Sequence, residues 1–222
     1  RLYYCRGPRQ SERTSMATAK SIGADEVGSG DTFCGLVFSA ACVTREQEDA
    51  LRAHRVRDSK RISDSMIGQY VALMTEIGVR HSTVVLNPQQ FNKLLAEGLD
   101  HVQVQNAMYE RAITSLVQKV GHPEKVYVDQ YPGARINIDH DTLELLPGAG
   151  DKYLSVAAAS IMARSAYLGM RRSLEKELGM QIPLGSSNVE EALRHLINRE
   201  VDISKYAKLY PNNVRELLRE SH

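Results

Sequence analysis

Long apolar runs are missing from this 222-residue sequence: none approaches the roughly 18 to 20 residues of a membrane-spanning helix. Cysteine is scarce. Cys5, Cys34 and Cys42 form no CxxC pair, which argues against a disulfide framework or a zinc cluster and favours a reducing, cytoplasmic setting. The sequence begins at Arg1 rather than Met, and its first twenty residues hold no continuous apolar stretch of the kind found in a secretory leader. An excess of one charge is absent too. With 28 Lys and Arg against 27 Asp and Glu, the net charge is +1. That excludes a histone-like polycation but leaves room for a local basic face that binds nucleic acid. What is present, 42% hydrophobic and 25% charged residues, is the balance of a globular protein with a real core. At about 150 residues per domain, the length gives one domain or two small ones.

Residues 1–19 are polar and irregular and read as a basic tail or linker, with residues 20–222 forming the domain proper. SIGADEV and FCGLVFSAACV are two β-compatible runs joined by Gly28-Ser29-Gly30-Asp31. Helical spacing follows over about 46–54 and 64–76, and a strand over 79–86. Helices are expected over about 89–96 and 101–119, then a strand over 125–129 and a short one near 141–146. A long helix is expected over 151–178, closed by Gly179. The small residues of Ser155–Ala163 would let it pack closely on a sheet. Short helices near 188–198 and 214–220 end the chain. Strands first, then strands alternating with helices, imply an α/β domain with a mixed sheet and helices on both faces.

Four acids fall at informative places. Asp25 and Glu26 are adjacent at the end of an apolar strand, Asp129 ends KVYVD, and Asp151 stands at the start of the long helix. Singly, each has a plain structural reading: solvated strand ends, a turn cap, a helix N-cap. Jointly they fit a site at the carboxyl ends of neighbouring strands. Clustered carboxylates raise each other's pKa, and a divalent cation relieves the repulsion. Oxygen-only donors favour Mg²⁺ or Mn²⁺ over zinc. Two such ions about 4 Å apart activate a water and steady the leaving oxygen at a phosphodiester. Gly28-Ser29-Gly30 is either a simple hairpin turn or a place where backbone N–H groups meet a sugar–phosphate chain. It fits neither GxGxxG, nor a nucleotide-binding loop, nor GxSxG.

Together ADEVGSGDTFCGLVFSAACV, DSK at 58–60, YVDQYP at 127–132, DKYLSVAAASIMAR at 151–164 and AKLYPNN at 207–213 resemble the type 2 ribonucleases H, and within them the ribonuclease HIII class. The resemblance covers about residues 20–213. It implies a ribonuclease H-like fold, a five-stranded mixed sheet flanked by helices. It also implies metal-dependent endonucleolytic hydrolysis of the RNA strand of RNA–DNA hybrids by a two-metal mechanism, leaving 5′-phosphate and 3′-hydroxyl ends. The partner would be the hybrid itself, met by a monomer. Carried over, the metal-binding and catalytic acids match Asp25, Glu26, Asp129 and Asp151. The turn that meets the hybrid backbone and its 2′-hydroxyls matches Gly28, Ser29 and Gly30. Three features depart from the HIII pattern. The fourth acid is Asp, as in ribonuclease HII, where HIII usually has Glu. Only about twenty residues precede the catalytic region, where HIII usually carries an N-terminal domain resembling the TATA-binding protein. Cys34-Gly35-Leu36 stands where the family often has Phe-Gly-Pro.

Rival readings are a ribonuclease HII-like nick at single ribonucleotides in duplex DNA, and a hybrid-binding module without catalysis. Other residues have a structural alternative. Lys60 is a candidate phosphate ligand but also a partner for Asp58. Asn106 is a candidate substrate contact or an exposed helix polar residue. Arg164, Arg171 and Arg172 read as a solvated face. Asp139-His140-Asp141 reads as a turn rather than a metal cluster, Cys34 and Cys42 as buried small side chains, and Tyr206 and Tyr210 as packing residues.

Overall fold

A computed structural model describes residues 20–57, 59–139 and 142–220. The expected basic tail (1–19), Asp58 and the His140-Asp141 part of the expected turn lie outside the described residues.

Five strands form one sheet in the order β3-β2-β1-β4-β5: β1 Lys20–Val27, β2 Leu36–Thr44, β3 Arg80–Leu86, β4 Lys125–Asp129 and β5 Leu143–Leu146. The first three are antiparallel neighbours, whereas β4 runs parallel to β1 with Ala24 beside Val128. The mixed sheet is the one expected. β2 begins three residues later than its apolar run, because Cys34 adopts a left-handed conformation (φ 61°). Gly35 there passes so close to β3 that an added Cβ would lie 1.9 Å from the Leu86 carbonyl oxygen.

Eight helices are described: α1 Arg45–Ala53, α2 Asp64–Glu76, α3 Pro88–Ala96, α4 His101–Val120, α5 Ala149–Lys152, α6 Leu154–Leu178, α7 Glu190–Ile197 and α8 Asn212–Glu220. Capping boxes start three of them, Thr44 with Gln47, Asn87 with Gln90 and Asp100 with Gln103, each satisfying orphan amides of a first turn. None of the helices is long and apolar enough to cross a membrane.

Strand alternation assigns the two faces. Ile22, Ala24, Val126 and Val128 pack with Tyr109, Ile113 and Leu116 of α4. On the other face Ala41 and Val43 pack with α1, α2 and the small residues of α6. Ser155–Ala163 are all buried, as their size predicts. A third cluster joins Phe33, Cys34 and Tyr167 to α7, α8 and Ala207, so the C-terminal segment buttresses the β1–β2 turn.

The long helix expected from Asp151 is broken. Tyr153 is extended (φ −120°, ψ 119°) and divides a four-residue α5 from α6. Its ring stacks on Tyr127 of β4 at 3.8 Å between centroids. Asp151 is therefore not the N-cap of a long helix but an exposed residue inside α5.

Candidate active site

β1 and β4 end side by side, and both Asp25 and Asp129 project from the face that carries α6. Asp25 is buried, at 3% exposure. Its Oδ1 accepts the Glu26 amide at 2.8 Å, while its Oδ2 is buried with no hydrogen-bond partner. Burial pushes the Asp25 carboxyl up to about 7; the Lys60 ammonium and the Ser160 hydroxyl beside it oppose this, and the neighbouring Glu26 adds to it. Asp129 is held from behind, Oδ1 accepting the Ala149 amide at 3.0 Å. Its Oδ2 faces Lys60 Nζ at 3.7 Å.

Glu26 points to the opposite face, as its neighbour relation to Asp25 requires, yet at the strand end it still feels Lys60. Ser29 donates to its Oε1 at 2.9 Å, and Oε2 is buried without a partner. Burial raises the Glu26 carboxyl too, against the pull of the Ser29 hydroxyl. The buried Tyr109 hydroxyl is raised by burial and then by Asp25 and Glu26, so no phenolate joins the site.

The Gly28-Ser29-Gly30 turn sits against this cluster. Gly28 has φ +102°, and a Cβ there would lie 2.4 Å from the Gly35 carbonyl, so only glycine fits. Gly30 is exposed with nothing within 4 Å of such a Cβ. Asp31 anchors the far side of the turn, accepting from the Tyr167 hydroxyl at 2.6 Å and from the Gly185 amide.

One residue that sequence reading passed over lies beneath the turn. Lys208 is 1% exposed and donates to the carbonyls of Gly28 and Ser29. Burial lowers its ammonium to about 8, with Asp31 and Glu26 holding it up. The only cue was its place in AKLYPNN; a lysine in a polar segment otherwise reads as surface. Lys208→Met should leave the Gly28 carbonyl with the Asp31 amide alone and remove the ammonium from that of Ser29. Steady-state kinetics on a hybrid should then show KM raised roughly tenfold with kcat little changed. A wild-type KM would mean that the turn does not bind substrate.

The other expected residues separate. Lys60 is a partner of Asp129; Asp58 lies outside the described residues. Asn106 is half-buried: its Oδ1 accepts from the Tyr131 hydroxyl and, at 3.0 Å, from the Arg135 amide. It braces the loop after β4. Asp151, the fourth expected acid, is exposed in α5, two residues beyond the Ala149 amide that holds Asp129. It lines a cleft with Arg52, Arg55 and Arg57. Arg164 pairs with Asp64 and Arg171 with Glu175. Cys34 and Cys42 are buried, as expected.

Among the described residues no three His, Cys, Asp or Glu side chains are spaced as a ready metal cage. The donor chemistry nevertheless suits a hard cation. Two buried carboxylate oxygens without partners, Asp25 Oδ2 and Glu26 Oε2, are oxygen ligands of the kind Mg²⁺ and Mn²⁺ take. The Lys60 ammonium already supplies some positive charge at this anionic rim.

A family model for ribonuclease HII matches residues 22–210. The chain is 34% identical over 194 residues to ribonuclease HIII of Streptococcus pneumoniae, covering 83% of this chain and 67% of that protein. It thus spans about two thirds of the length of such relatives. Its fold superposes on Bst-RNase HIII, crystallised with Mn²⁺, with a TM-score of 0.81 at 28% identity, covering 94% of this chain and 72% of the other. It also superposes on the ribonuclease H2 of Pyrococcus horikoshii with a TM-score of 0.74. At 20% identity that second likeness speaks to the fold alone; it covers 91% of this chain and 98% of the other.

Proposed function

The chain belongs to the type 2 ribonuclease H family of endonucleases, in the ribonuclease HIII class, and we propose on that footing that it hydrolyses the RNA strand of RNA–DNA hybrids, leaving 5′-phosphate and 3′-hydroxyl ends. The observation that carries the reading is the pair of orphaned, buried carboxylate oxygens on Asp25 and Glu26, beside Asp129 and under a glycine turn. Buried charges without partners are retained only where something binds them.

Asp25, Glu26, Asp129 and Asp151 would hold divalent metal, Mg²⁺ or Mn²⁺. When bound it would supply Lewis-acid activation of water and stabilisation of the leaving oxygen. The chain's own residues do the rest. The Ala149 amide fixes the Asp129 carboxylate, and Ser29 fixes that of Glu26. Lys208 occupies the carbonyls of Gly28 and Ser29, so what the turn has left to offer a strand is its N–H groups. Those groups would meet the sugar–phosphate backbone and its 2′-hydroxyls, the feature that marks RNA. Lys60 would neutralise the anionic mouth until a phosphate approaches.

A labelled hybrid and a duplex with one embedded ribonucleotide, each incubated with Mg²⁺, Mn²⁺ or EDTA, test the reading. Cleavage of the hybrid's RNA strand with metal and none in EDTA is expected. Asp129→Asn should lose on the order of a hundredfold or more, and Asp151→Asn likewise. Metal-independent cleavage, or a fully active Asp129→Asn protein, would rule the assignment out.

A further inference from the structure

One long edge of the sheet is left open. β3 is the outermost strand on its side and pairs with β2 on one flank alone. Along the other flank runs a groove of about 870 Å³, lined by every residue from 81 to 86 and walled by α3 and α4. An edge strand turns alternate N–H and C=O groups outward, a ready template for another strand, and proteins usually blunt it with a bulge, a proline or a charge. Here the β2–β3 register is unbroken over seven residues and the strand holds no proline. Its basic residues, Arg80 and His81, stand at its first end, while Val85 near the other end is 48% exposed.

The wall opposite the strand carries charge of one sign. Arg111 and Lys119 stand about two turns apart on one stripe of α4, and both line the groove. Among the described residues neither has an ion-pair partner. Glu97, the one acid among the described lining residues, is already taken by Lys93 at 3.8 Å. Strand alternation puts Val84 and Leu86 on the α4 face of the sheet and Val85 on the other. A strand added here would present one set of side chains to the two cations and the other set beside Val85.

We propose that this groove binds an extended acidic peptide, which joins the sheet as a sixth strand beside β3. The peptide alternates acidic with β-branched residues. Its carboxylates face Arg111 and Lys119, and its β-branched side chains lie alongside Thr83 and Val85. Main-chain hydrogen bonds give the grip, and the charge pattern gives the selection. A nucleic-acid strand fits less well, because a sugar–phosphate chain offers acceptors to the cations but no ladder of N–H donors to the β3 carbonyls. A second copy of this chain also fits less well. Antiparallel pairing of two β3 strands across a two-fold axis would bring both sets of cations onto one face.

This inference does not rest on the nuclease reading. The probe is a fluorescein-labelled peptide, Glu-Val-Glu-Thr-Glu-Val-Glu, matched to the seven residues of β3, titrated into the full chain and followed by fluorescence anisotropy. Saturable micromolar binding is expected, weakening as salt is raised. Arg111→Glu and Lys119→Glu should each weaken it at least about tenfold. Both side chains are exposed, so both variants should melt with the parent and leave hybrid cleavage at the parent's level. Methylating the backbone nitrogens of alternate peptide residues strips the donors from one of its edges. One of the two peptides made this way should lose binding and the other keep it. No binding of the probe, equal binding of a peptide with lysine for glutamate, or the same result from both methylated peptides would overturn the proposal. So would hybrid affinity in EDTA that falls in both variants while the peptide stays unbound, which would give the groove to nucleic acid. A dimer in solution that Val85→Lys dissociates would give it to a second copy and overturn the proposal as well. A parent that cuts no hybrid yet binds the peptide would sink the nuclease reading and leave this one standing.

Discussion

An Asp25→Asn protein should lose hybrid cleavage by at least about a thousandfold, the scale on which central electrostatic groups act, and yet be harder to unfold. The two effects share one cause. Asp25 is buried, with Oδ2 unpartnered, and its carboxyl is raised from 3.8 to about 7. Between those values the folded protein binds a proton that the unfolded chain has released. Stability is therefore highest at low pH for this group, and it declines as pH rises from about 4 through about 7. Above that window the buried charge destabilises the metal-free protein by a few kcal/mol, at about 1.4 kcal/mol for each pKa unit. Asparagine removes the charge and with it that slope. Denaturant melts of both proteins in EDTA at pH 5 and pH 8 give the comparison: a clear advantage for the variant at pH 8, and a much smaller one at pH 5. Added Mg²⁺ should stabilise the parent at pH 8 and leave the variant unchanged. Equal stabilities at pH 8 would mean that Asp25 is not the strained group described here.

Gly23→Ala is expected to be the most damaging small substitution in the sheet. A Cβ at this position would lie 2.1 Å from the Ser155 carbonyl carbon and from the Val156 nitrogen, both main-chain atoms of α6. Neither is a flexible side-chain end, so α6 must move as a body. Overpacking of this kind costs about 3 kcal/mol or more, a fall of roughly 6–12 °C in melting temperature for a chain of this size. The shift would also carry Ser160 away from Ser59 and the Asp25 carboxylate, so residual activity should fall further than stability alone explains. Gly30→Ala is the control, with nothing within 4 Å of its Cβ; its melting temperature should match the parent's. If Gly23→Ala melts with the control, α6 does not approach β1 as closely as described.

Strongly periodic stretches made most of the fold legible from sequence. The β4 run KVYVD, the amphipathic spacing of α2 and the small residues at the front of α6 all fold where their patterns place them. The meeting of Asp25 with Asp129 was legible as well, because strand ends in α/β sheets gather ligand groups. The long helix went astray at its start for a local reason. Sequence reading ran one helix from 151 onward, and nothing in DKYLS announces that Tyr153 turns extended to stack on Tyr127. Cys34 escaped likewise, since its left-handed backbone answers to the crossing of Gly35 under Leu86, a contact some fifty residues away along the chain. Lys208 and the arginine cleft depend on segments brought together only by tertiary folding. No periodicity reports them.

The parallel pairing of β1 with β4 also has a consequence for how the molecule comes into being. β1, β2 and β3 are sequential antiparallel neighbours and need only nearby chain to form, but Ala24 meets Val128 across roughly a hundred residues. A nascent chain leaving the ribosome can thus complete its meander while Asp25 still lies open to water. Its carboxylate enters the apolar interior only after β4 and α6 have been synthesised and docked. Assembly of the catalytic pocket is then a late event in folding, and the burden of burying a lone charge falls on its closing step.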